Sequence, residues 1–106
     1  MAIEKFTKQS YEEFTIAADF SNNMEAGEVI VNQTVTAIDA SGNDVSTEIL
    51  DQSTVGNDGA QQVRVLVRAG EETAGVSPYK ITFYCETDNI PEHKWELDVR
   101  MVVKEL

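Results

Sequence analysis

Apolar and polar side chains alternate along most of this chain. In WELDVRMVVK (95–104), Trp95, Leu97, Val99, Met101 and Val103 form an apolar set. Glu96, Asp98, Arg100, Val102 and Lys104 interleave with them, and four of these five are charged. A period of two belongs to a strand with one buried face and one solvated face. The same alternation runs through YKITFYCE (79–86), where Tyr79, Ile81, Phe83 and Cys85 share a phase. It recurs in VRVLVRA (63–69) through Val63, Val65, Val67 and Ala69. VIVNQTVTAI (29–38) and EFTIAADF (13–20) read as further strands, VSTEIL (45–50) as a shorter one and IEKFT (3–7) as a weak terminal one. The stretches between them (21–28, 39–44, 53–60, 70–78 and 87–94) are rich in Gly, Asn, Asp, Ser or Pro, the residues that turns require. Only KQSYEEF (8–14) could make a helical turn. About seven short strands at this spacing predict an all-β fold over residues 1–106. The expected form is a single immunoglobulin-like antiparallel β-sandwich without a disulfide.

The last two strands set a pairing problem. Directly opposed residues share a face, so their numbers must sum to an even value for the apolar sets to meet. A sum of 182 opposes Phe83 to Val99, but it also sets Glu86 beside Glu96. A sum of 184 pairs Tyr84 with Arg100. The pattern leaves both registers open.

Composition agrees with the pattern. Val, Ile and Thr number 12, 7 and 9, against 4 Leu, and branching at Cβ favours the pleated sheet. Charge narrows the functional classes. Lys and Arg total 8 and Asp and Glu 19, a net charge of −11. That balance argues against nucleic-acid binding through a basic face and against anionic membrane surfaces. No apolar run has the length of about 20 residues that a membrane span needs. MAIEKFTKQSYEE lacks the apolar segment of a Sec leader. Cys85 is the single cysteine and reads as a buried apolar residue, in keeping with folding in a reducing cytoplasm.

Candidate chemistry is sparse. The chain has no G-x-S-x-G, Walker, H-E-x-x-H or C-x-x-C motif. His93 is the only histidine and falls in a turn expected to leave it unoriented, so no catalytic residue is assigned. The pairs Glu12–Glu13 and Glu71–Glu72 read as solvated charge. Asp39, Asp44, Asp58 and Asp88 lie in loops that could converge on calcium, but without the spacing of a calcium loop. No metal or cofactor is therefore expected. Trp95 reads as core. Tyr79 follows Gly75-Val76-Ser77-Pro78 and opens a strand, the place where a tyrosine corner bonds back to loop backbone. Leu66, Tyr84 and Val102 interrupt otherwise polar faces and form a candidate partner patch.

Two segments carry a family resemblance. In residues 62–104, the valine-rich strand Val63–Ala69, the loop from Gly70 to Gly75, Tyr79 with Ile81 and Phe83, and Leu97 with Val99 resemble the C-terminal half of a family of small phage proteins. These are the virion-associated or fibre–tail adaptor proteins with an immunoglobulin-like fold. Lys8-Gln9 and Asp19-Phe20 resemble the opening of the same family. The departures are Val76-Ser77-Pro78 before Tyr79, a longer final turn, and no Trp-Leu after Phe20. The resemblance implies a non-enzymatic structural protein of a phage or prophage. Such a protein is made in the bacterial cytoplasm, carried in the virion, and acts on other phage structural proteins through protein–protein contacts. It specifies neither the partner nor the oligomeric state. A cell-surface adhesion or carbohydrate-binding β-sandwich, stabilised by calcium, is the alternative.

Overall fold

A computed structural model describes residues 4–105 as two stacked β-sheets. Seven strands are present among these residues: β1 (Glu4–Lys8), β2 (Phe14–Asp19), β3 (Ile30–Ile38), β4 (Leu50–Asn57), β5 (Gln62–Val67), β6 (Tyr79–Thr87) and β7 (Lys94–Val103). One sheet has the order β1-β7-β6-β3 and the other β2-β5-β4. Every strand pair is antiparallel except β1 with β7, which run parallel. A parallel pair needs a long connection rather than a hairpin. Here the connection is the whole domain between its first and last strands.

The alternating residues meet between the sheets. Val63, Val65 and Val67 of β5 face Val35, Ala37, Ile81, Phe83, Val99 and Met101 of the larger sheet in one core cluster. All three β5 valines are fully buried, and burial of one such side chain contributes about 1.5–3 kcal/mol. Trp95 packs against this cluster and is itself partly buried. Cys85 is free and buried, and that burial raises its thiol pKa.

The structure corrects the reading of residues 45–60. Instead of a strand over 45–50, a helical turn α1 (Ser46–Ile49) precedes β4. Asp44 Oδ1 accepts hydrogen bonds from Ser46 N–H at 2.9 Å and from Ser46 Oγ–H at 2.7 Å. Ile49 and Leu50 are consecutive and both buried. A strand would point them to opposite faces, whereas the junction of a helical turn with a strand buries both. Most of β4 falls in 53–60, which reads as a turn because of its Ser, Thr, Gly and Asn. It is an edge strand whose register against β5 slips between Asp51 and Gly56. There Thr54 Oγ1 accepts the Leu66 N–H at 2.8 Å, so a side chain replaces a ladder acceptor. Residues 8–14 do not form the helical turn. Lys8 ends β1, and Glu12 N–H donates to Gln9 O at 3.1 Å in a tight turn.

The β6–β7 register is neither of the two expected. Ile81 opposes Val99 and Phe83 opposes Leu97, a sum of 180. The even parity holds, but the turn is tighter by a residue pair. Charge and turn geometry account for the choice. Glu86 now faces Lys94, with 3.5 Å between Oε2 and Nζ, and Thr87 N–H donates to His93 O at 3.0 Å to close the turn.

Candidate functional site

Tyr79 opens β6 and is buried. Its Oη accepts a hydrogen bond from Glu71 N–H at 3.0 Å. The partner is thus a backbone amide eight residues upstream, not a carbonyl. Burial raises the phenol pKa, against the opposing effect of the Glu71 N–H, and the bond uses an oxygen lone pair of the hydroxyl. The chain reaches this position through Ala69 and Gly70, both at positive φ. A Cβ on Gly70 would lie 2.8 Å from Val103 Cγ2, so a side chain there meets both strain and a packed neighbour. Tyr79 therefore fastens the β5–β6 loop onto the end of the sandwich.

The proposed partner patch is not assembled. Leu66 lies on the three-stranded sheet, whereas Tyr84 and Val102 lie on the four-stranded one. Tyr84 opposes Glu96, and Val102 is six residues further along β7, about 20 Å at strand rise. Strand order places Leu66 on the other sheet and register separates Tyr84 from Val102, and alternation encodes neither. Only Tyr84 is strongly exposed, at 41%. It stands in a shallow groove of about 540 Å³ on the outer face of β3, β6 and β7. Two register rows line it: Thr34, Tyr84 and Glu96, then Asn32, Glu86 and Lys94.

His93 is oriented, contrary to its reading as a loose turn residue. Its Nδ1 is 3.0 Å from Oε2 of Glu28, a carboxylate buried in the β2–β3 loop. The Thr87 hydroxyl donates to the same oxygen, and Glu25 N–H donates to Oε1 at 2.9 Å. The Thr87 bond, then the Glu25 amide and His93, hold the Glu28 carboxyl below its ordinary pKa. With the imidazole proton on Nδ1, the Asn89 side-chain amide sits 3.2 Å from Nε2 as a donor. The His93 ring meets Trp95 edge-on at 5.7 Å. Because the Thr87 hydroxyl points to the carboxylate and not to the imidazole, the arrangement is a clamp between two loops rather than a nucleophile with its base.

Lys8 also escapes a reading by composition. It lies on the core-facing phase of β1 and is buried. Its ammonium donates to Gln9 O at 2.7 Å, Ala69 O at 2.5 Å and Ser10 O at 3.3 Å. Three carbonyls thus match its three donors. Desolvation lowers its pKa, opposed by Glu12, Glu105 and Glu13. The terminal strand was expected to end at residue 7, and nothing in the pattern marked Lys8 as an inward position.

Asp39 and Asp58 close their own turns, and Asp88 ties its turn to the start of β3. Asp39 accepts from Ser41 and Asn43 N–H, Asp58 from Ala60 and Gln62 N–H, and Asp88 from Val29 N–H. Among the described residues, no three His, Cys, Asp or Glu side chains converge as metal ligands. No helix of the described residues is long and apolar enough to cross a membrane.

Comparison with known proteins found no matching family model, no matching curated protein and no matching solved structure.

Proposed function

We propose that this chain is an immunoglobulin-like contact module of a phage or prophage particle, acting through protein–protein contacts and not through catalysis. The observation that carries this reading is the strand partition, β2-β5-β4 against β3-β6-β7 with β1 added beside β7. Immunoglobulin-type sandwiches likewise set their second, fourth and fifth strands against their third, sixth and seventh; β1 departs from the constant-type arrangement by joining β7. That fold is what the resemblance in residues 62–104 implies, and the Tyr79 bond to the preceding loop supports it further. The role needs a firm scaffold with surfaces for partners, and the outer face of the four-stranded sheet offers one. The test is mass spectrometry of purified particles from the strain that carries the gene. Recovery of the chain at fixed stoichiometry supports the role. Absence from particles, with metabolic enzymes encoded on either side of the gene, overturns it.

The alternative, a cell-surface adhesion or carbohydrate-binding module, has one observation in its favour. The Tyr84 ring lies in a groove among Asn32, Thr34 and Glu96, side chains that make no hydrogen bond with other described residues. Its calcium-stabilised form predicts a melting temperature that falls in EDTA. An unchanged melting temperature removes that form.

A further inference from the structure

The outer face of the four-stranded sheet carries an arrangement that a stable free sheet would avoid. Lys5 of β1 opposes Arg100 of β7, and Arg100 opposes Lys80 of β6. Three of the eight cations of a chain with 19 acids thus stand in one row across three neighbouring strands. All three are exposed, and none makes an ion pair with a described residue. The nearest acid on this face is Asp98, one row away, and its carboxylate is engaged by Thr82 Oγ–H at 2.8 Å. Like charges directly opposed across strands destabilise a sheet. With acids in more than twofold excess, chance and solubility both favour a carboxylate on one of these three strands in that row, yet the row reaches its first acid only at Asp44, beyond Ile38.

We infer that the Lys5–Arg100–Lys80 row is a docking site for an acidic segment of a partner protein. Charge complementarity selects the occupant. The row presents cations at steps of about 5 Å, set by strand spacing. Glutamates at i, i+4 and i+8 on a helix lie about 5–6 Å apart, so an acidic helix laid across the strands matches the row. Thr7 and Val102 border it on one side and Thr36, Thr82 and Asp98 on the other, with Ile38 continuing the row past Lys80; all but Asp98 are small or apolar, and the Asp98 carboxylate is engaged by Thr82. A second copy of the chain is disfavoured, because each copy carries −11. Nucleic acid meets the same repulsion over the rest of the surface. That the partner is a protein rests on the contact-module reading above; the row itself does not.

The test titrates the whole protein with a helical peptide bearing Glu at i, i+4 and i+8, read by amide chemical shifts at low salt. Inorganic phosphate and duplex DNA are run in parallel. Shifts confined to Lys5, Lys80, Arg100 and their neighbours are expected. Lys80→Glu should weaken peptide binding at least about tenfold while raising the melting temperature, because a like-charge contact becomes an attractive one. Arg68→Glu, one residue past β5 of the other sheet, should change binding by less than about twofold. No peptide binding, equal loss in Arg68→Glu, or a lower melting temperature for Lys80→Glu overturns the inference. Tighter binding of phosphate or DNA overturns the protein assignment. None of these results depends on recovering the chain in particles, so the two readings fail separately.

Discussion

Two buried polar side chains fix the loops at one end of the sandwich. Tyr79 accepts from Glu71 N–H, and Tyr79→Phe leaves that amide without its acceptor. The expected cost is about 1–2 kcal/mol, measured by chemical denaturation. A loss near zero would mean that the loop is held by other contacts. Lys8 binds Gln9 O, Ser10 O and Ala69 O together. Lys8→Met keeps the stem and removes all three donors, so a loss of about 1–3 kcal/mol is expected. A more stable Lys8→Met variant would mean that the charge is a net burden, as some buried ions are. Sequence placed Tyr79 at the start of a strand because Pro78 and the turn before it mark that boundary. It gave no hint of Lys8 as an interior group, since a lysine reads as surface until a set of carbonyls is seen to surround it.

At the scale of elements, the period-two runs foretold β2, β3, β5, β6 and β7 because each is buried on one face and wet on the other. β4 was illegible for the opposite reason. It is an edge strand built from Ser, Thr, Gly and Asn, paired with β5 only at its two ends, so neither alternation nor propensity marks it. The β6–β7 register depended on the Glu86–Lys94 contact and on the Thr87–His93 bond, both made inside a segment that reads only as a turn. Nothing in the pattern pointed to the His93 contact, because Glu28 lies in a stretch that reads only as a turn and 65 residues separate the two. The Glu28 clamp joins the β2–β3 loop to the β6–β7 turn and makes a pH prediction. Its carboxyl pKa is held below the ordinary 4.5. The stabilisation is therefore complete above that value and lost as pH falls through the depressed one. Melting curves should show wild type losing more stability than Glu28→Gln between about pH 5 and pH 3. Parallel pH profiles would mean that the clamp does not couple to folding.

Over the whole molecule, two electrostatic effects oppose each other. The net charge of −11 makes the folded chain repel itself at neutral pH. Added salt should therefore raise the melting temperature at pH 7 through screening. Asp39 is held below its usual pKa chiefly by the Asn43 amide, and Asp58 by the Gln62 amide. Acid should destabilise through these groups even as it relieves the repulsion. Calorimetry across pH and salt checks both signs, and a melting temperature that falls with salt at pH 7 would remove the repulsion from the picture. The row of Lys5, Arg100 and Lys80 depends on one architectural fact, the parallel pairing of β1 with β7 beside a β6–β7 register of 180. Cross-strand nuclear Overhauser effects in solution measure that directly. Contacts between Phe6 and Met101, and between Ile81 and Val99, are expected; contacts joining Phe83 to Val99, or β1 to a strand other than β7, would contradict both the sheet and the docking face drawn from it.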